Sequence, residues 1–152
     1  MTTSHISDHF TWDEATITLQ RDPATGLTLP NQPDPDTATR LVHTFQQMEK
    51  VRALLGKPIV VHSAYRSPAV NAAVGGAKQS QHMRGEAVDF HVADLTIRET
   101  FEQLRRSDLR FDQLIEEAAT WVHVSFNYAG PQRHQALTMR IVDGRAHYEP
   151  VA

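Results

Sequence analysis

The feature that most restricts how this chain can fold is a change of hydrophobic period at Gly56. Before it, Leu41, Phe45, Met48, Val51 and Leu55 recur at helical spacing, which predicts a helix from about Thr37 to Leu55 with the glycine as its stop. After it, KPIVVHSAY, residues 57 to 65, is β-branched and reads as a strand. Glu86 to Val92 alternates as a second strand. DQLIEE, WVHVSF and LTMRIV read as three more, with Asp143-Gly144 as a hairpin turn signal. Capping boxes at Thr11 to Glu14 and Thr96 to Glu99 open two shorter helices, the first running to about Gln20 and the second carrying Ile97, Phe101 and Leu104. Ser67 and Pro68 open another over SPAVNAAVGG. Four prolines and a glycine between Arg21 and Asp36 predict a surface loop. Helices come first and strands of antiparallel type dominate later. The expected class is therefore α+β, an antiparallel sheet with flanking helices, in a single domain over residues 1–152.

Composition removes several functions. A net charge of -3 gives no electrostatic reason to expect nucleic acid or an anionic membrane as partner. No apolar run approaches the roughly 20 residues of a membrane span, so no membrane insertion is expected. MTTSHISDHFTWDE has neither a basic nor an apolar leader segment, which predicts a chain without a cleavable signal. With no cysteine, a metal must be held by His, Asp or Glu, and nine histidines are on offer.

In SQHMRGEAVDFHV, His82 and Asp89 stand seven apart with Gly85 between them. That is poor spacing for one short strand, but it suits a loop residue and a strand residue that converge. By the period of two, Val88, Phe90 and Val92 face the core, and Asp89 and His91 face the other way. In WVHVSF, Val122, Val124 and Phe126 face inward, while Trp121, His123 and Ser125 face out. Singly, Asp89 reads as a solvated carboxylate and His123 as an ordinary histidine. Together, His82, Asp89 and His123 make a His-Asp-His set that leaves one position of a tetrahedral zinc open.

The words SAYRSPAVNAAVGG, SQHMRGEAVDF and QLIEEAATWVHVSF, in that order, resemble the zinc peptidases of the D-alanyl-D-alanine carboxypeptidase type. That group has the hedgehog/D,D-peptidase-like fold and includes phage peptidoglycan endopeptidases and the vancomycin-resistance dipeptidases. The likeness covers roughly residues 8–128 and leaves 129–152 as a C-terminal hairpin or tail. It implies His82, Asp89 and His123 as zinc ligands and Arg66 as the arginine that contacts substrate and steadies the oxyanion. An isolated arginine reads otherwise as a surface ion-pair partner. Ser80 and Gln81 shape the ligand loop, and Ser80 and Trp121 line the substrate side. Many family members carry Asp or Glu three residues before the last ligand histidine, or a further histidine two before it. Here those positions are Thr120 and Trp121, which cannot serve as base. Glu116 and Glu117 are the nearby acids and face opposite ways. Phage-type relatives with Gln-Leu-Ile-x-Glu before Trp-Val-His favour Glu117 as base. His91 reads as a neighbour of the site or a solvent-facing residue, and His62 as a hydrogen-bonded structural histidine. His134 and His147 lie outside the likeness.

The resemblance implies a monomeric, zinc-dependent hydrolase of an amide bond in peptidoglycan stem peptides or cross-links. It implies a phage or prophage lysin, waiting in the host cytoplasm for holin-type release or carried in the virion. Two rivals stand beside it: a non-catalytic binding or virion module that keeps the zinc fold, and a free D-Ala-D-Ala dipeptidase.

Overall fold

The structure is a computed structural model that describes residues 4–151; Met1–Thr3, part of the stretch read for a leader, and Ala152 lie outside them. A short antiparallel pair, β1 (His5–Ser7) and β2 (Phe10–Thr11), leads into helix α1 (Trp12–Ala15). Both halves of the capping box at Thr11 and Glu14 are formed. The helix stops at Ala15 rather than near Gln20. Thr16, Ile17 and Thr18 form a β-branched run that disfavours another turn, and the Thr16 hydroxyl bonds back to the Trp12 carbonyl at 2.8 Å.

The loop from Arg21 to Asp34 is pinned by one buried amide. Asn31 donates to the carbonyls of Thr16 and Tyr65 and accepts from the Ser67 amide. Asp34 then caps α2 (Pro35–Leu55), with Pro35 at the first turn and Gly56 closing it at φ 67°. The helix begins two residues before the predicted Thr37 because this Asp-Pro pair sets its start. Leu41, Phe45, Met48, Val51 and Leu55 are all buried, in one cluster with Val88, Phe90, Val122 and Val124 of the sheet and with Phe126 just beyond it.

The remaining elements are β3 (Val60–Ser63), α3 (Pro68–Ala73), β4 (Ala87–His91), α4 (Ile97–Arg105), β5 (Gln113–Glu117), β6 (Trp121–Ser125), β7 (Gln135–Val142) and β8 (Arg145–Pro150). The strands β3 to β8 make one sheet in the order β3-β4-β6-β5-β7-β8. The expectation of a wholly antiparallel sheet needs one correction, because β5 and β7 pair in parallel. The reason is occupancy. Strand β6 already lies between β4 and β5, so the chain leaving it must cross to the free edge of β5 and run in the same direction. The hairpin β7–β8 turns at Asp143-Gly144 as predicted, both residues having positive φ.

Asp112 holds that crossover to the rest of the molecule. Its buried carboxylate accepts from the Arg133 guanidinium at 2.7 Å, from Gln81 Nε2 at 2.9 Å and from Asn127 Nδ2 at 2.9 Å. Burial raises this carboxyl, but the bonds from Arg133 and Gln81 outweigh it and hold it down at about 2. Its share of stability is therefore complete above the ordinary aspartate range and drains away as pH falls from about 4 towards 2. Asp112→Ala should cost about 2–4 kcal/mol in urea unfolding near neutral pH. The variant should also lose less stability than the unmutated protein over that acid window; an identical loss would remove Asp112 from the account.

Candidate metal centre

His82 rides on one 3-10 turn, Gln81–Arg84, whose cap is the Ser80 hydroxyl accepting from the His82 amide at 3.2 Å. Gly85 ends the turn at φ 74°, and a Cβ there would lie 3.0 Å from the Thr37 carbonyl of α2. Only glycine accepts both that backbone and that approach, and so the turn can seat against the helix. Ser80 thus shapes the loop, as expected, and also lines the cleft.

His82 Nδ1 lies 2.7 Å from the Ala64 carbonyl oxygen. A carbonyl only accepts, so Nδ1 carries the proton and Nε2 presents its lone pair. That Nε2 is 3.2 Å from Asp89 Oδ2, and His123 Nδ1 is 2.9 Å from Asp89 Oδ1. Asp89 and His123 are direct cross-strand partners on β4 and β6. One ligand atom from each of the three residues falls within 4.8 Å of the others, and all three are buried. The solvated-carboxylate reading of Asp89 therefore does not hold: its residue is 2% exposed. Burial pushes the Asp89 carboxyl up, but its contacts with His82 and the His123 hydrogen bond hold it far below the ordinary range. Burial likewise lowers His123, and its bond to Asp89 more than reverses that.

Glu116 and Glu117 separate as the strand period requires. Glu116 turns to α4 and meets Arg98 Nε at 3.0 Å. Glu117 faces the ligands, with Oε1 3.8 Å from His123 Nδ1 and Oε2 accepting from the Trp121 indole at 2.9 Å. Burial, then the charge of Asp89, raise the Glu117 carboxyl. The turn after it holds Ala118 at φ 51° and Ala119 at φ 58°, a left-handed pair that costs about 1–2 kcal/mol per residue.

Arg66 is tied in place rather than free at the surface. Its NH2 donates to Asp89 Oδ2 at 3.2 Å, its Nε to Ser63 Oγ at 3.1 Å and its NH1 to Asn71 Oδ1 at 3.4 Å. A Cβ on Gly76 would collide with the Asn71 amide and approach Arg66 NH1, so the glycine keeps this clamp in shape. Sequence reasoning missed Ser63 and Asn71 as partners of Arg66, and missed the Trp121 bond to Glu117. Cross-strand register from Glu117 to Trp121 was the available signal for that bond. The other histidines stay off the ligand set. His62 and His91 bond to each other at 2.6 Å on the exposed site face, His134 stacks on Phe111 at 4.2 Å, and His147 is exposed on β8.

His82, Asp89 and His123 floor a cleft of about 1020 Å³. A family model described as Peptidase M15 matches residues 8–125. The chain belongs to the M15 peptidase family. Over 100 residues this M15 chain is 31% identical to the peptidoglycan L,D-endopeptidase MepK of Escherichia coli K12, an alignment covering 59% of this chain and 51% of that protein. The figures are the same for MepK of E. coli O157:H7 and of Shigella flexneri. The chain spans about half the length of the curated relatives it matches. M15 peptidases are metallopeptidases, and the residues present fit a metal. The Nε2 atoms of His82 and His123 are both buried without a hydrogen-bond partner, a costly state beside an ionised carboxylate unless a cation completes it.

Proposed function

We propose that this M15 chain is a zinc-dependent peptidase of the D,D-peptidase-like fold that cuts an amide bond within peptidoglycan stem peptides or their cross-links. The observation that carries the reading is the coincidence of the buried His82-Asp89-His123 set with Glu117 at 3.8 Å from His123. His82, Asp89 and His123 would hold the zinc, whose chemistry is to polarise a carbonyl and activate water. Glu117, with its carboxyl raised and one oxygen fixed by Trp121, takes the proton from the attacking water and returns it to the leaving amine. Arg66 donates towards the oxyanion as it develops.

An endopeptidase fits better than a carboxypeptidase. The lining runs from His62 and Ser63 on β3, past the ligands, to Tyr148 on β8, so substrate can continue in both directions from the scissile bond. Incubating zinc-loaded protein with purified sacculi, and separately with free D-Ala-D-Ala, tests this. Release of peptide fragments from sacculi supports the reading. Cleavage of the dipeptide alone would make it a dipeptidase, and no product from either would favour a binding module.

Arg66→Ala should fold, keep zinc and lose about 10–10³-fold in kcat/KM on muropeptides, the scale of one removed oxyanion donor. Arg66→Lys should rescue poorly, because an ammonium cannot reproduce the three-way clamp of the guanidinium. An unchanged kcat/KM for Arg66→Ala would take it out of the mechanism.

A further inference from the structure

The hairpin β7–β8 lies beyond the residues that match the family, yet it shares the face of the sheet that carries the ligands. Register fixes this. Ile115, on the His123 row, pairs with Leu137, and Glu117 pairs with Met139, which in turn pairs with Tyr148. By the alternation of strands, the site face of the hairpin presents Leu137, Met139, Ile141, Ala146 and Tyr148. Its reverse face presents Arg140 and Glu149, joined at 3.0 Å. An edge hairpin would ordinarily turn its apolar side to the core. This one turns it to the cleft, where Ile141 is 57% and Tyr148 52% exposed. Exposed apolar surface continuous with a polar site is binding surface. The proximity is electrostatic too: burial, then the charges of Glu117 and Asp89, push the Tyr148 hydroxyl up.

We infer that the β7–β8 hairpin is a substrate-binding shelf, on which Met139, Ile141 and Tyr148 seat the aliphatic part of the peptide on one side of the scissile bond. The inference rests on the peptidase reading and deepens it by assigning one half of the substrate to one element. The occupant follows from continuity. Trp121, Glu117, Met139 and Tyr148 form one row across four strands, so a chain held at Glu117 and extended across the sheet must pass over Met139 and Tyr148. Peptide side chains that are aliphatic, with the backbone free to reach the Tyr148 hydroxyl, suit that surface.

The test uses the whole 152-residue chain, zinc-loaded, with Tyr148→Ala, Ile141→Ser and Tyr148→Phe. One substrate is a cross-linked muropeptide, the other a peptide trimmed to one residue beyond the cleaved bond. Tyr148→Ala and Ile141→Ser should lower the ratio of kcat/KM for long over short substrate about tenfold, carried by KM, while Tyr148→Phe largely restores it. The same variants on a Glu117→Gln background should weaken muropeptide binding, measured by calorimetry, by a similar factor. Binding without cleavage by the unmutated protein would overturn the peptidase reading and leave the shelf standing. Equal losses on both substrates, unchanged binding in both Tyr148→Ala and Ile141→Ser, or a dimer that Ile141→Ser dissociates would overturn the shelf.

Discussion

Glu117→Gln should lower kcat/KM on stem-peptide substrate by about 10²–10⁴-fold, the usual worth of general acid–base catalysis, and should leave zinc content as it was. The geometry sets both halves of that expectation. Glutamine keeps the shape of the side chain and an oxygen for the Trp121 indole, which sits 2.9 Å from Glu117 Oε2. It cannot accept the proton. His123 Nδ1 lies 3.8 Å from Glu117 Oε1, close enough for the carboxylate to share the reaction space without belonging to the His82-Asp89-His123 set. Glu116→Gln is the control. It loses only the ion pair to Arg98, more than half of which is solvent-exposed, and such pairs contribute little. Activity should stay near that of the unmutated protein. The opposite ranking would move the base to Glu116 and require a one-residue shift in β5. Full activity in both variants would exclude this segment as the source of the base.

The His82-Asp89-His123 cluster was legible in the sequence because two of its members lie on strands with a clean period of two. Once Val88 and Phe90 are assigned to the core, Asp89 must face the other way, and the same holds for His123 between Val122 and Val124. His82 was legible through the glycine that ends its turn. Glu117 followed from strand phase, since one step along β5 decides whether a carboxylate meets Arg98 or His123. Other features depend on pairing that no local pattern specifies. The parallel register of β5 with β7 arises because β6 is already occupied on both edges, a property of the assembled sheet. The clamp on Arg66 draws Ser63 from β3 and Asn71 from α3, residues brought together only by the turn between them. The depth of Asp89's burial depends on assembly for the same reason. Its strand face is polar in sequence but is covered by His82, His123 and Arg66.

Loss of one member of the proposed ligand set should abolish activity altogether, and the contacts around Asp89 show what such a loss leaves behind. In His123→Ala, Asp89 keeps the Arg66 guanidinium at 3.2 Å, so its charge remains paired and the fold should survive. The proposed zinc site would then offer two ligands where three are needed. Elemental analysis should find zinc near one per chain in the unmutated protein and near zero in the variant. Zinc at a thousand times its dissociation constant should stabilise the unmutated protein by about 4 kcal/mol, and the variant should show no such rise in melting temperature. Acid should act through the histidines. Asp89 is held ionised well below the ordinary carboxylate range, so it keeps its charge as pH falls. His123 is raised by Asp89, so protons compete for it from a higher pH than for a free histidine. Zinc affinity should therefore weaken as pH drops through the histidine range, each bound metal having displaced protons. Full zinc occupancy in His123→Ala, or an affinity indifferent to pH across that range, would place the metal elsewhere and leave the His82-Asp89-His123 cluster as a buried ion pair.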